Sequence, residues 1–183
     1  MTSKLATLRL EPAVHTHDVM DGRVARQPRS HFLEFLIDGV SLRRTAHGEG
    51  DLVTGLNRSW WSQDPSAVET LLGRRPAPDL ESGRIPLLVC GECGDLACGA
   101  VTAALDMGPS EVTWSDFRWE NGYDEPEPID SLVVPIRFER GQYEAELANA
   151  GHRVAALSEN QPLFREKSRR GRQFRWPWQP RTP

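Results

Sequence analysis

No stretch of this 183-residue chain approaches the roughly 18 consecutive apolar residues that a membrane-crossing helix requires. The longest apolar run, Ile85 to Cys90, is interrupted by Pro86, so no transmembrane segment is expected. Met1 to Leu10 carries Lys4 but no apolar segment leading to a small-residue cleavage site, and export is not expected either. Cysteine is scarce. The three present, Cys90, Cys93 and Cys98, are odd in number and crowded within nine residues, unlike the framework of a disulfide-stapled secreted domain. A reducing, cytoplasmic setting fits them. The strong local signatures of enzymes are missing too: there is no G-x-G-x-x-G loop after a strand, no Walker loop, no G-x-S-x-G, and no H-E-x-x-H among five scattered histidines, with His15 and His17 merely two apart.

What is present is a globular balance, 38% hydrophobic and 26% charged, in a chain long enough for one domain with its own core. The net charge of -4 hides an asymmetry. Residues 157–183 hold seven basic side chains against Glu159 and Glu166, a net of +5, which leaves residues 1–156 at -9. We therefore expect a single α+β domain over 1–156 and a flexible basic tail over 157–183.

Alternation predicts a first strand over Thr7–Glu11, ended by Pro12, and a loop over Asp18–Ser30. Phe32–Ile37 and Val40–Arg43 flank Asp38-Gly39, a hairpin signal because both central residues of a type I′ turn need positive φ. Thr45–Pro65, with Trp60-Trp61 in its middle, reads as a long connection, and Ser66–Gly73 as a short helix that Asp64 or Ser66 can cap. Ile85–Val89 suits a buried strand whose Pro86 places its start near an edge. Val101–Met107 and Val112–Trp119 alternate on either side of Gly108-Pro109-Ser110, the pattern of an antiparallel hairpin. Leu132–Phe138 reads as a last strand interrupted at Pro135. In Arg140–Leu157, Tyr143, Leu147, Ala150, Val154 and Leu157 recur at helical spacing, although Gly151 costs about 1 kcal/mol relative to alanine and can mark the helix end. Together these elements predict an antiparallel sheet of hairpins with one main C-terminal helix packed on a face.

Chemistry concentrates in Cys90-Gly91-Glu92-Cys93-Gly94-Asp95-Leu96-Ala97-Cys98-Gly99. Three readings compete. In a zinc knuckle, two thiolates spaced by two residues aim at one metal while the following glycine lets the backbone turn, and Cys98 adds a third ligand. A closed structural site needs a fourth, for which His47, His31 and His152 are candidates by elimination only. In a dithiol redox site, a helix beginning at Cys93 would lower the first thiol's pKa, but Gly94, Gly99 and the downstream alternation argue for strand. In the third reading, the glycines shape a hairpin loop and the cysteines are small, reduced, buried side chains.

The run Arg84–Cys90, continuing through Cys93-Gly94-Asp95, Cys98–Thr102 and Val112–Phe117, with Phe138 and Tyr143-Glu144 after it, resembles an uncharacterised bacterial family common in actinobacteria. The likeness covers roughly residues 32–147, and some members carry a bare oxidoreductase label. It implies membership without a catalytic residue to transfer.

Two charged regions remain. Asp116, Glu120, Asp124, Glu125, Glu127 and Asp130, interleaved with Trp119 and Tyr123, read as a solvated acidic loop over 120–130, whose best role is docking a basic protein partner or the chain's own tail. The tail mixes Arg169, Arg170, Arg172 and Arg175 with Trp176 and Trp178, a combination suited to phosphate backbones and base stacking or to an anionic surface. The expected function is a non-catalytic binding or interaction module with a structural cysteine loop, zinc being the cofactor it suits. The alternatives are a thiol-dependent oxidoreductase and a tail-mediated binder of nucleic acid or anionic surfaces.

Overall fold

A computed structural model describes residues 4–16, 19–21, 24–26, 29–47, 51–61, 66–77 and 80–159, without the side chains of 19–21, 24–26, 47 and 61. Two antiparallel sheets carry the fold. The first pairs β1 (Leu8–Thr16) with β4 (Arg29–Ile37), and β4 with β5 (Val40–Ser41). The second runs in the order β10 (Glu127–Pro128), β9 (Glu111–Glu120), β8 (Ala100–Met107), β7 (Ile85–Cys90), β6 (Leu52–Val53), with β11 (Ile136–Glu139) also on β9. A parallel bridge from Ala6 to Phe138 links the two sheets. The mixed α+β class expected from the patterning is therefore what the chain forms.

The hairpin at Asp38-Gly39 is present, with φ of +49° and +82° as a type I′ turn demands. Its second arm is short, because after Ser41 the chain enters helix α1 (Leu42–His47) rather than continuing as strand. Several expectations are corrected. Strand β1 runs through Pro12 to Thr16, which an edge strand permits because the missing N–H leaves no ladder bond unmade. Asp18–Ser30 is not loop throughout: β2 (Val19–Asp21) and β3 (Val24–Arg26) form a small ribbon and Arg29 already belongs to β4. Thr45–Pro65 contains α1's end, β6 and helix α2 (Arg58–Trp61). Leu132 closes a 3₁₀ turn over Asp130–Leu132, so the last strand begins only at Ile136. Helix α3 (Ala67–Leu71) forms inside the expected range, but the Ser66 side chain makes no cap hydrogen bond.

The C-terminal helix is two helices, α4 (Arg140–Ala148) and α5 (Ala150–Ala155). The break falls at Asn149 (φ -104°, ψ 6°), a residue type that favours caps, while Gly151 stays helical. Glu139 starts α4 by accepting from the N–H groups of Gly141 and Gln142, at 2.9 and 2.7 Å, which holds its carboxyl below the usual range. Tyr143, Leu147, Ala150 and Val154 point into the core, and Leu157 packs against it from just inside the expected tail.

At the centre lies Trp114, fully buried, with Phe35, Phe138 and Tyr143 around it at centroid distances of 5.0 to 5.9 Å, all three edge-on to its indole. Its Nε1–H donates to the Tyr143 hydroxyl (3.2 Å), which donates in turn to the carbonyl of Leu71 (2.8 Å). Burial pushes the Tyr143 phenol well up, so the hydroxyl remains a donor.

Strand β1 is flanked on its open side by side chains of α4 and α5. The Gln142 amide accepts from Leu8 N–H (3.1 Å) and donates to its carbonyl (2.6 Å). Glu146 accepts from Leu10 N–H (2.8 Å), and Arg153 bonds the Leu10 carbonyl. These helix side chains act as a substitute strand.

Candidate metal centre

The three cysteines sit where β7 leaves the sheet and β8 returns. Cys90 ends β7, paired with Leu52 of β6. The chain then turns: Gly91 N–H donates to the Asp51 carbonyl (2.7 Å) and Gly94 N–H to the Cys90 carbonyl (2.9 Å). A 3₁₀ turn over Leu96–Cys98 follows, started by the Asp95 carboxylate, which accepts from Ala97 N–H at 2.8 Å. Gly99 closes it by donating to the Leu96 carbonyl (2.8 Å).

This path brings the three Sγ atoms within 4.8 Å of one another, Cys93 and Cys98 at 3.5 Å. Cys90 is half-buried; Cys93 and Cys98 are exposed. Asp95 N–H points at Cys93 Sγ from 3.4 Å, a backbone donor that favours the thiolate. Against it, loss of water around the sulfur, though the residue as a whole stays exposed, pushes the free Cys93 thiol up to about 12, and hydrogen bonds with Cys98 and Cys90 add to the rise. A metal ion reverses that preference, since it binds the deprotonated form.

Two glycines set the loop against two tryptophans. Gly94 has φ of +72°, and a Cβ there would stand 3.0 Å from the indole of Trp60. Gly99 has φ of +101°, and its Cβ would fall 1.9 Å from Trp119 Cζ2. Gly99 is closed to a side chain on two counts, backbone conformation and space, whereas at Gly94 the positive φ is the stronger constraint and a Cβ would press on the Trp60 ring. The sequence alone marks Trp60 only as half of a Trp-Trp pair and Trp119 only as an aromatic in an acidic stretch. The signal that could have found them is the glycine after each of Cys93 and Cys98, since a tight turn under a ring requires one.

Of the expected fourth ligands, neither His31 nor His152 joins the three thiols. Among the described residues no histidine or carboxylate joins the three thiols at that spacing. His152 is exposed on α5, His31 lies mid-strand in β4, and the side chain of His47 lies outside the described residues. His15 is engaged with Asp51 (3.2 Å) and Arg43 (3.1 Å). Nor does a helix begin at Cys93, which the dithiol reading requires.

The same loop walls a cavity of about 280 Å³. Cys93 and Leu96 of the loop line it, together with Trp60, Leu56, Val89 of β7 and Leu71 of α3.

The acidic stretch divides. Asp116 and Glu120 leave it, because β9 bulges: Asp116 and Phe117 together oppose Ala103, Asp116 takes φ of +48°, and Phe117 turns into the core. Arg84, 11% exposed, then meets Asp116 (2.7 Å) and buried Glu120 (3.0 Å), and Glu120 also accepts from Thr102 and Ser82. Arg84 and Arg118 hold the Asp116 carboxyl below the usual range. Asp124, Glu125, Glu127 and Asp130 remain exposed. The tail residues Arg169, Arg170, Arg172, Arg175, Trp176 and Trp178 lie outside the described residues. No helix among the described residues is long and apolar enough to cross a membrane.

No protein-family model, curated protein or solved structure matches the chain.

Proposed function

We propose that this protein is a non-catalytic binding module whose cysteine loop is organised by a thiophilic metal ion, zinc being the best fit, held by Cys90, Cys93 and Cys98. The observation that carries the reading is the convergence of three sulfurs within 4.8 Å on a loop turned by two positive-φ glycines. Sulfur donors select zinc over magnesium or calcium, which take oxygen. Three thiolates leave one of zinc's four positions to a non-cysteine ligand. A cytoplasmic location, where thiols stay reduced, and membership of the bacterial family that the Cys90–Gly99 motif resembles both belong to this reading.

The test is metal analysis of protein purified under reducing conditions, followed by cobalt substitution. One metal per chain and thiolate-to-cobalt absorption that weakens stepwise in Cys93→Ser and Cys98→Ser are expected. Metal-free protein that also develops no such absorption would overturn it.

One observation favours a thiol-dependent oxidoreductase instead: the 3.5 Å contact of Cys93 and Cys98. Against it stand the raised Cys93 thiol and the absence of a helix start there. A disulfide-reductase assay of wild type against Cys90→Ser decides between them. Binding of nucleic acid or an anionic surface by the tail rests on its Arg and Trp content, and salt-dependent retention on heparin, lost on truncation after Leu157, tests it.

A further inference from the structure

We propose that the cavity behind the cysteine loop binds a small, flat, uncharged aromatic molecule of about two fused rings, and that metal at the thiols strengthens this binding through Cys93, which belongs to both sites.

The ligand class follows from the walls. Among the described residues lining the cavity none is charged, and most are apolar. An ionised ligand would lose its hydration there without a counter-charge, at a cost that apolar contact does not offset. A dry apolar cavity of about 150 Å³ admits benzene, so one of about 280 Å³ has room for a second ring. Trp60 and Phe35 offer aromatic surfaces, and Ser66 just before α3 and Thr70 one turn further along it bring hydroxyl-bearing side chains to the lining. A neutral ligand with one hydroxyl suits that combination of surfaces.

The coupling follows from the shared loop. Glu92, Cys93, Asp95, Ala97 and Cys98 are exposed, and local hydrogen bonds hold the segment, so it lies at the weakly stabilised end of the fold. A metal that fixes the Cys93 sulfur also fixes Gly94 and Leu96 in the wall of the cavity, and a ligand meeting an ordered wall has less ordering left to do. By linkage the ligand raises metal affinity by the same factor. The coupling rests on the metal reading; the cavity does not.

The test uses 2-naphthol as probe and 2-naphthoate as its charged control, by calorimetry on the full chain with and without one equivalent of zinc, whose own binding is measured first. Expected are one 2-naphthol per chain, an affinity higher by about fivefold or more in the zinc form, and little binding of 2-naphthoate. Ala67→Leu and Ala77→Leu, which fill the cavity from two different segments, should each weaken 2-naphthol while zinc still binds with wild-type stoichiometry. Equal binding of naphthoate and naphthol, or naphthol affinity unchanged in both folded variants, would overturn the cavity assignment. Equal naphthol affinity with and without bound zinc would overturn the coupling. Failure of zinc to bind the ligand-free protein would instead sink the metal reading, and the coupling with it, while the metal-free titration still decides the cavity.

Discussion

Two corners of this molecule are built from tryptophan, and they use it in opposite ways. Around Trp114 the indole is fully buried, ringed by three aromatics, and its one polar group is satisfied through Tyr143 to the backbone of Leu71. Around the cysteine loop, Trp60 and Trp119 lie against Gly94 and Gly99, and the groups between them are exposed thiols. The first arrangement spends every contact on stability. The second leaves two of three sulfurs exposed, in contact chiefly with one another and with the N–H of Asp95.

The contrast is open to breaking, most severely at its rigid end. Trp114→Ala should cost about 3–5 kcal/mol, the range for emptying a large aromatic site, and chemical denaturation should show a much lower midpoint with the slope retained. Gly99→Ala should cost roughly 2–4 kcal/mol, combining overpacking against Trp119 with a strained backbone. If the contact with Trp119 is the cause, Trp119→Ala in the same chain should recover part of that loss, and additivity of the two changes would refute it. Tyr143→Phe should cost about 1–3 kcal/mol by leaving Trp114 Nε1 without its acceptor and the Leu71 carbonyl without its donor. A thermal melt of that variant matching wild type would mean the chain of bonds is dispensable.

The smallest effect belongs to the ion pairs beside the bulge. Because Arg84 and Arg118 depress the Asp116 carboxyl, its contribution is present above the ordinary value of 3.8 and is lost as pH falls through the lower folded value. The carboxylate is half exposed, so screening limits the effect to under about 1 kcal/mol at neutral pH. Asparagine also tolerates the positive φ, so Asp116→Asn isolates the charge. Its stability should fall below wild type at pH 7 and converge with it in acid. A gap that persists in strong acid would point to packing instead.

What could be read in advance follows the range of the interaction. The hairpin of β8 and β9, the type I′ turn, the helical stripe from Tyr143 to Val154 and the crowding of the cysteines are all local patterns, and each is where periodicity or spacing placed it. The continuation of β1 past Pro12 depends on which edge of the sheet the proline meets, which no local window contains. Likewise the capture of Asp116 and Glu120 by Arg84 requires a bulge in β9 and a partner more than thirty residues away. In the candidate site, the three cysteines are visible as a motif. The rings that frame them are not, because Trp60 and Trp119 reach the loop from different sheets' neighbourhoods through tertiary packing alone.

The substitute strand that Gln142, Glu146 and Arg153 offer to β1 joins residues 134 to 143 positions apart. During synthesis, which adds residues at about 5–20 per second, β1 and β4 are both made several seconds before that clasp can form. Through that interval the outer edge of β1 is an unpaired row of N–H and C=O groups, free to recruit another nascent chain. The growing polypeptide therefore carries a risk of self-association at that edge until α4 and α5 have left the ribosome.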